Sequence, residues 1–324
     1  MVRRAAEVCR ARFGAGVGVG VGVGVLAVAL AACGSGGASN DTDARVFGDQ
    51  CVSGGTFDLD GRAAVLGTLN VHVDASGLVE VDTTAELLIA LDLVQHGTAV
   101  DVVASACAIQ IPDVPIAGQD RPIHFEVPQA TVASVAGVTG RGTLSSADQT
   151  CATLTTDQFV LVLGAVLEPR TIATSPLPEA DASGNFRFCP PSIDTPCNLA
   201  IGANCACDQE ADEKPGATVR ASNVPAVDLD EVYVTLRTRF SLAGQVFSSD
   251  LMIGDIDASL EQGILGCHLA NGGPCTPAEV GAVKNLNPVV TQQPGNPSSF
   301  RAVRVPPGTT CAQLIAQRDT LFPR

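Results

Sequence analysis

Apolar and polar residues alternate with a period of two along much of the chain, the signature of β-strands that bury one face. Leu69, Val71 and Val73 alternate with Asn70, His72 and Asp74, and Ile123, Phe125 and Val127 with His124 and Glu126. The longest run sets Val232, Val234, Leu236, Thr238, Phe240 and Leu242 against Glu231, Tyr233, Thr235, Arg237, Arg239 and Ser241. A further strand is expected over 251–260. Two segments, 87–94 and 159–167, are apolar on both phases and read as strands covered on both faces. Turn chemistry separates these runs: Gln95-His96-Gly97-Thr98, Asp113-Val114-Pro115 and Ser145-Ser146-Ala147-Asp148. Short connections make successive strands antiparallel neighbours. The expected fold is all-β: an antiparallel meander forming a lipocalin-like barrel or a β-sandwich.

Two stretches lose the alternation. Residues 169–217 hold seven prolines and four cysteines and read as an insert tied down by disulfides. Residues 270–299 are rich in Gly, Pro and Asn and read as a loop. One short C-terminal helix is expected over 311–318, where Thr310 can cap a segment with apolar residues at helical spacing. Residues 51–324 thus form a single β domain.

The N-terminus changes the picture. Arg3, Arg4, Arg10 and Arg12 precede an uncharged apolar run from Phe13 to Ala32, followed by Cys33. The segment Leu30-Ala31-Ala32-Cys33 resembles a bacterial lipoprotein signal, in which the cysteine thiol is acylated and becomes the first residue. Residues 1–32 are then a signal peptide and 33–50 a flexible tether that opens Gly34-Ser35-Gly36-Gly37. That resemblance implies export, a membrane anchor through acyl chains on Cys33 and, because Gly34 is not acidic, transfer to the outer membrane. Two or three chains hold a protein essentially permanently.

Removing four Arg and one Glu with the signal from totals of 19 basic and 34 acidic residues leaves a net charge of about −18. Such a surface repels phosphate backbones, so no nucleic-acid partner is expected. With no tryptophan and one tyrosine, Tyr233, the chain is short of the rings that sugar-binding and promiscuous surfaces use. Beyond Cys9 and Cys33, ten cysteines remain, an even number that reads as up to five disulfides in an exported chain. Two candidate pairs are local: Cys189 with Cys197, and Cys267 with Cys275.

Catalytic patterns are scarce. The sequence contains no G-x-S-x-G elbow, P-loop or H-E-x-x-H. Of the four histidines, His72 and His124 fall on the outward phase of strands and His96 sits in a turn. Asp255/Asp257 and Glu80/Asp82 share strand faces as a glycosidase pair could, yet a solvated face explains them equally. No catalytic residue is expected. The best-defined polar cluster is the loop from Asp208, where Asp208, Glu210 and Asp212 occupy the first, third and fifth places of a calcium-type loop. Its sixth place is Glu213 rather than glycine, and its twelfth is Val219 rather than a bidentate glutamate, so any calcium would be structural and no other cofactor is implied.

Several segments resemble a group of predicted exported lipoproteins typical of myxobacterial-type genomes. They are Cys107-Ala108-Ile109-Gln110-Ile111, Lys214-Pro215-Gly216-Ala217-Thr218-Val219, Glu231-Val232-Tyr233-Val234-Thr235, and the end, Phe300-Arg301-Ala302-Val303-Arg304-Val305 with Thr310-Cys311-Ala312. The group carries no activity to transfer; the resemblance implies class and address. The functional expectation is a non-catalytic envelope lipoprotein, structural or binding an apolar small molecule. A protein-interaction module presenting disulfide-stapled loops to an envelope partner is the alternative, with a hydrolase third.

Overall fold

The computed structural model describes residues 51–323 apart from 52, 76–78, 116–119, 136, 199–202, 225–226 and 286–288. The expected signal segment and tether, with Cys33, lie outside the described residues. Strands β1 (Gly61–Ala75), β2 (Val79–His96) and β3 (Ala99–Gln110) form a continuous meander. There follow β4 (His124–Glu126), helix α1 (Gln129–Ala133), β5 (Val138–Leu144), β6 (Thr153–Thr156), β7 (Phe159–Leu163) and β8 (Ala165–Val166). Next come β9 (Cys205–Ala206), β10 (Ala217–Ser222) and the two long strands β11 (Leu229–Ser248) and β12 (Leu251–Leu269). The chain ends with β13 (Gly273–Pro274), α2 (Pro277–Asn285), β14 (Val289–Gln292), β15 (Ser299–Val305) and α3 (Cys311–Leu321).

Of the two expected architectures the structure takes the barrel. Hydrogen bonding runs β1-β2-β3-β5-β6-β11-β12-β15 and returns to β1, every neighbour antiparallel, with β7 continuing the β6 wall along β11. The ring closes where β15 lies against β1, from Arg62↔Val305 to Thr68↔Ser299. Inward positions follow the alternation. Val65, Ile89, Leu91, Val100, Val102, Leu154, Phe159, Phe240, Leu242 and Ile256 are buried together, plugged at that end by Phe57 and Leu59. Phe159 stacks on Phe240 with ring centroids 5.0 Å apart. Gly140 makes this possible, because a Cβ there would lie 2.4 Å from the Phe159 ring.

The second apolar phase of β2 has a separate cause. Leu88 and Ala90 are buried outside the ring beneath Leu314 and Phe322 of the α3 segment, whereas Val94 stays exposed. In β3, Ala106 pairs with Ile89 and Ala108 with Leu88, so one extra residue, Cys107, forms a bulge. Cys107 and Ala108 therefore both join the outer cluster, and Cys107 bonds Cys311. Helix α3 carries the expected cap: Gln313 N–H donates to Thr310 Oγ1 (3.3 Å) and Thr310 N–H to Gln313 Oε1 (2.8 Å).

The loop reading of 270–299 needs correction, since it contains α2. Pro277 opens that helix, Thr276 and Glu279 bond reciprocally at its start, and Val280 and Val283 are buried. The insert at 169–217 is folded against the outer face of β11 and β12. Thr235 Oγ1 donates to Pro178 O (2.6 Å), Arg237 to Ile172 O (3.1 Å) and Ser175 O (2.6 Å), and Arg239 to Ala173 O (3.0 Å). Polar outward residues that read as a solvated face thus anchor a cover. Gly164, at the start of this excursion, has φ +70°, and a Cβ there would lie 2.4 Å from the Val234 carbonyl oxygen.

Disulfide pairing differs from the local reading. Cys189 bonds Cys205 and Cys197 bonds Cys207, rather than each other, while Cys267 bonds Cys275. The fifth bridge, Cys51–Cys151, fastens the start of the described chain. Both partners missed at 189 and 197 belong to the segment Cys205-Ala206-Cys207, which lies between the two arms: Phe188 bridges Ala206 and Pro196 bridges Asp208.

Candidate functional site

Above the Phe159–Phe240 layer the inward side chains become small. Ala85 on β2, Ala104 and Ala106 on β3, Thr238 on β11 and Ala258 on β12 face a common space, and on β2, β11 and β12 the filled layer places Leu, Ile or Phe at the matching inward positions. An eight-stranded ring is just wide enough for large side chains to fill it, or to hold one small ligand. Here the shortfall leaves an apolar cavity of about 270 Å³. Its reality is legible in exposure: Leu69, Leu161, Leu236 and Leu260 point into the ring yet are only part-buried. The volume lies at the small end of known small-molecule sites, roughly 300–1,000 Å³.

The cavity is roofed by the excursion between β3 and β5. Val114 and Ile123 pair as an isolated bridge (N···O 2.9 and 2.8 Å), and Phe125 of β4 lies opposite Ala221 of β10. All three residues line the space, together with Thr131 of α1, Val283 of α2 and Val290 of β14. Thr131 is fully buried, its Oγ1 2.9 Å from Glu210 Oε1 and 3.2 Å from the Thr218 carbonyl.

Electrostatically the lining is nearly blank. Glu86 is its one ionisable residue, and that carboxylate pairs outside the ring with Arg318 of α3. Hydroxyls of Thr83 and Thr238 line the cavity, and neither has a hydrogen-bond partner among the described residues. Near the mouth the charged groups are paired: His72 Nδ1 with Asp82 (2.8 Å), His124 Nδ1 with Asp113 (2.7 Å) and Arg220 with Glu126 (3.6 Å). Hydrogen bonding to Asp82 raises the His72 pKa above its ordinary value. No hydroxyl is hydrogen-bonded to the His72 or His124 ring among the described residues, so neither forms a hydroxyl–imidazole–carboxylate relay.

The acidic loop is brought together differently from a calcium site. Asp208 is buried and turned onto its own loop, accepting from the backbone N–H groups of Asp212 (3.2 Å) and Glu213 (2.9 Å); burial nonetheless pushes its pKa up. Glu210 faces inward to Thr131 and the Thr218 N–H, and burial raises its pKa as well. Asp212 accepts from Lys214 N–H (3.1 Å) and Thr218 Oγ1 (3.0 Å). These carboxylates serve separate partners and do not fit a shared cation. Among the described residues no group of three or more His, Cys, Asp or Glu side chains could hold a metal ion. Glu213 takes φ +66°, so the sharp turn that glycine usually makes is kept without it.

Sequence reasoning placed the ligand idea on the doubly apolar segments 87–94 and 159–167. Leu87, Ile89, Leu161 and Leu163 do line the cavity, but the second phase of β2 only receives α3. The residues that matter most, Ala85, Ala106, Thr238 and Ala258, were missed. Their signal was present: small side chains on the inward phase of otherwise bulky strands. Comparison with protein-family models, with curated proteins and with solved structures finds no significant match.

Proposed function

We propose that this chain is an exported, lipid-anchored envelope protein that holds an apolar small molecule inside its barrel and catalyses no reaction. One observation carries the reading: a water-accessible space of about 270 Å³ inside the ring, walled by inward aliphatic side chains that stay only part-buried. Leaving such surface wet forgoes about 25 cal/mol for every Å² that filling would bury. The address rests on the N-terminal segment ending Leu30-Ala31-Ala32-Cys33 and on the disulfide-rich body, which suits an oxidising compartment.

Mass spectrometry of the mature protein from its own cells tests both halves. The expected species begins at an acylated Cys33, carries five disulfides and releases a small apolar molecule on denaturation. A polypeptide that still begins at Met1 with an unmodified Cys33 overturns the address. For binding, the uncharged fluorophore N-phenyl-1-naphthylamine should brighten on mixing, and Ala258→Phe or Ala106→Phe, which fill the space, should abolish the signal. Undiminished fluorescence in both variants overturns the cavity as the site. A second reading, a partner-binding surface on the insert, draws on Phe188 and Ile193, which are 44% and 39% exposed.

A further inference from the structure

Resting on that reading, the lining also discriminates among apolar ligands. An ionised group taken out of water costs far more than an apolar contact returns unless it is paired. The cavity offers no Lys, Arg or His among its lining residues, and its one carboxylate, Glu86, already engages Arg318. A ligand carboxylate could instead remain at the roofed end, where the His72, His124 and Arg220 side chains are already paired with Asp82, Asp113 and Glu126 and only the exposed Arg121 beside the roof is outside these pairs, within a chain of strongly negative net charge. What the interior does offer is two unpartnered hydroxyls, on Thr83 of β2 and Thr238 of β11. In the ring order these strands stand on opposite walls, four steps apart in either direction. Rings for stacking are few: Phe125 and Phe240 are the aromatic lining residues.

We propose that the cavity selects an uncharged, single-chain aliphatic molecule bearing a hydroxyl-type polar group, and rejects fatty-acid anions. The volume admits between roughly nine and twenty methylene-sized groups, counting 13–30 Å³ for each. The hydroxyl of such a molecule can donate to or accept from a threonine hydroxyl, satisfying both. The anion gains no such partner and meets an acidic rim.

The test uses the full chain loaded with N-phenyl-1-naphthylamine and competitors of equal length, 1-decanol and decanoate. At pH 8 decanol should displace the fluorophore at a concentration at least tenfold lower than decanoate. The gap should close toward pH 4, where the carboxyl is protonated. The double variant Thr83→Val with Thr238→Val should weaken decanol about three- to tenfold relative to n-decane, which carries no hydroxyl. Decanoate matching decanol at pH 8 overturns the selectivity, and undiminished decanol binding by the double variant overturns the hydroxyl contact. Either leaves the cavity itself as the binding site. Failure of both the fluorophore and 1-decanol itself, the latter followed by equilibrium dialysis, to bind at all instead removes the underlying reading, so the two failures are distinguishable.

Discussion

Phe159 and Leu161 sit two residues apart on the same strand, facing the same interior, and their surroundings are opposite. Phe159 is 1% exposed, stacked on Phe240 in a layer filled by Ile89, Leu91, Val102 and Leu242. Leu161 is only part-buried and borders the hollow. The two layers share β1, β2, β3, β11 and β12, while β7 takes over from β6 beside β11, β14 from β15 beside β1, and β3 bulges at Cys107. Side-chain volume also falls on three of these strands: Ala85 on β2, Thr238 on β11 and Ala258 on β12 stand in line with Ile89 and Leu91, Phe240 and Leu242, and Ile256. A ring of this size leaves so little spare width that a few missing methylenes per layer separate a core from a container.

Truncation gives the largest contrast. Phe159→Ala should cost about 3–5 kcal/mol in denaturant unfolding, since it opens a new void in a filled layer. Leu161→Ala should cost under about 1.5 kcal/mol, because one side of that residue already lacks neighbours. Equal costs would show that the two layers are packed alike. Removing the bridge that clamps α3 over β2, by Cys107→Ser with Cys311→Ser, should cost about 2–5 kcal/mol. It should leave fluorophore binding intact, as the helix covers the outside of the wall.

Enlargement reverses the sign. Ala302→Leu, in the filled layer, should destabilise by about 1–3 kcal/mol through overpacking. Ala258→Leu, at the hollow, should be neutral or stabilise by up to about 1 kcal/mol while weakening fluorophore binding.

The smallest effect concerns the wall beside the mouth, where His72 links β1 to Asp82 of β2. Its folded pKa is raised, so the pair stabilises the fold fully below the ordinary histidine value of 6.5. That contribution fades as pH rises through the folded value. His72→Gln should therefore flatten the pH dependence of melting temperature across this window, and an unchanged profile would remove the pair from the account.

Much of the barrel could be read from alternation, because a strand with one wet face must repeat every two residues. The run from Glu231 to Leu242 becomes the middle of β11 with its phases as expected. What alternation could not convey is what lies on the outer face. Thr235 and Arg237 look solvated in sequence, yet are 0% and 4% exposed because the insert returns to cover them. Helix α2 was legible in Thr276-Pro277-Ala278-Glu279, a capping signal hidden among turn residues. Disulfide partners were illegible for a physical reason: Cys51 meets Cys151 and Cys107 meets Cys311 only once the ring has brought distant strands together. The cavity was half legible, since volume on the inward phase depends on knowing which phase is inward in each layer.

Closure of the ring has a consequence for the order of assembly. The first wall strand is held on one side by its immediate successor and on the other by β15, more than two hundred residues later. A nascent chain can zip β1, β2 and β3 early, but their sheet keeps an open edge until β15 has emerged. The Cys107–Cys311 bond then ties β3 of that meander to the helix that follows β15.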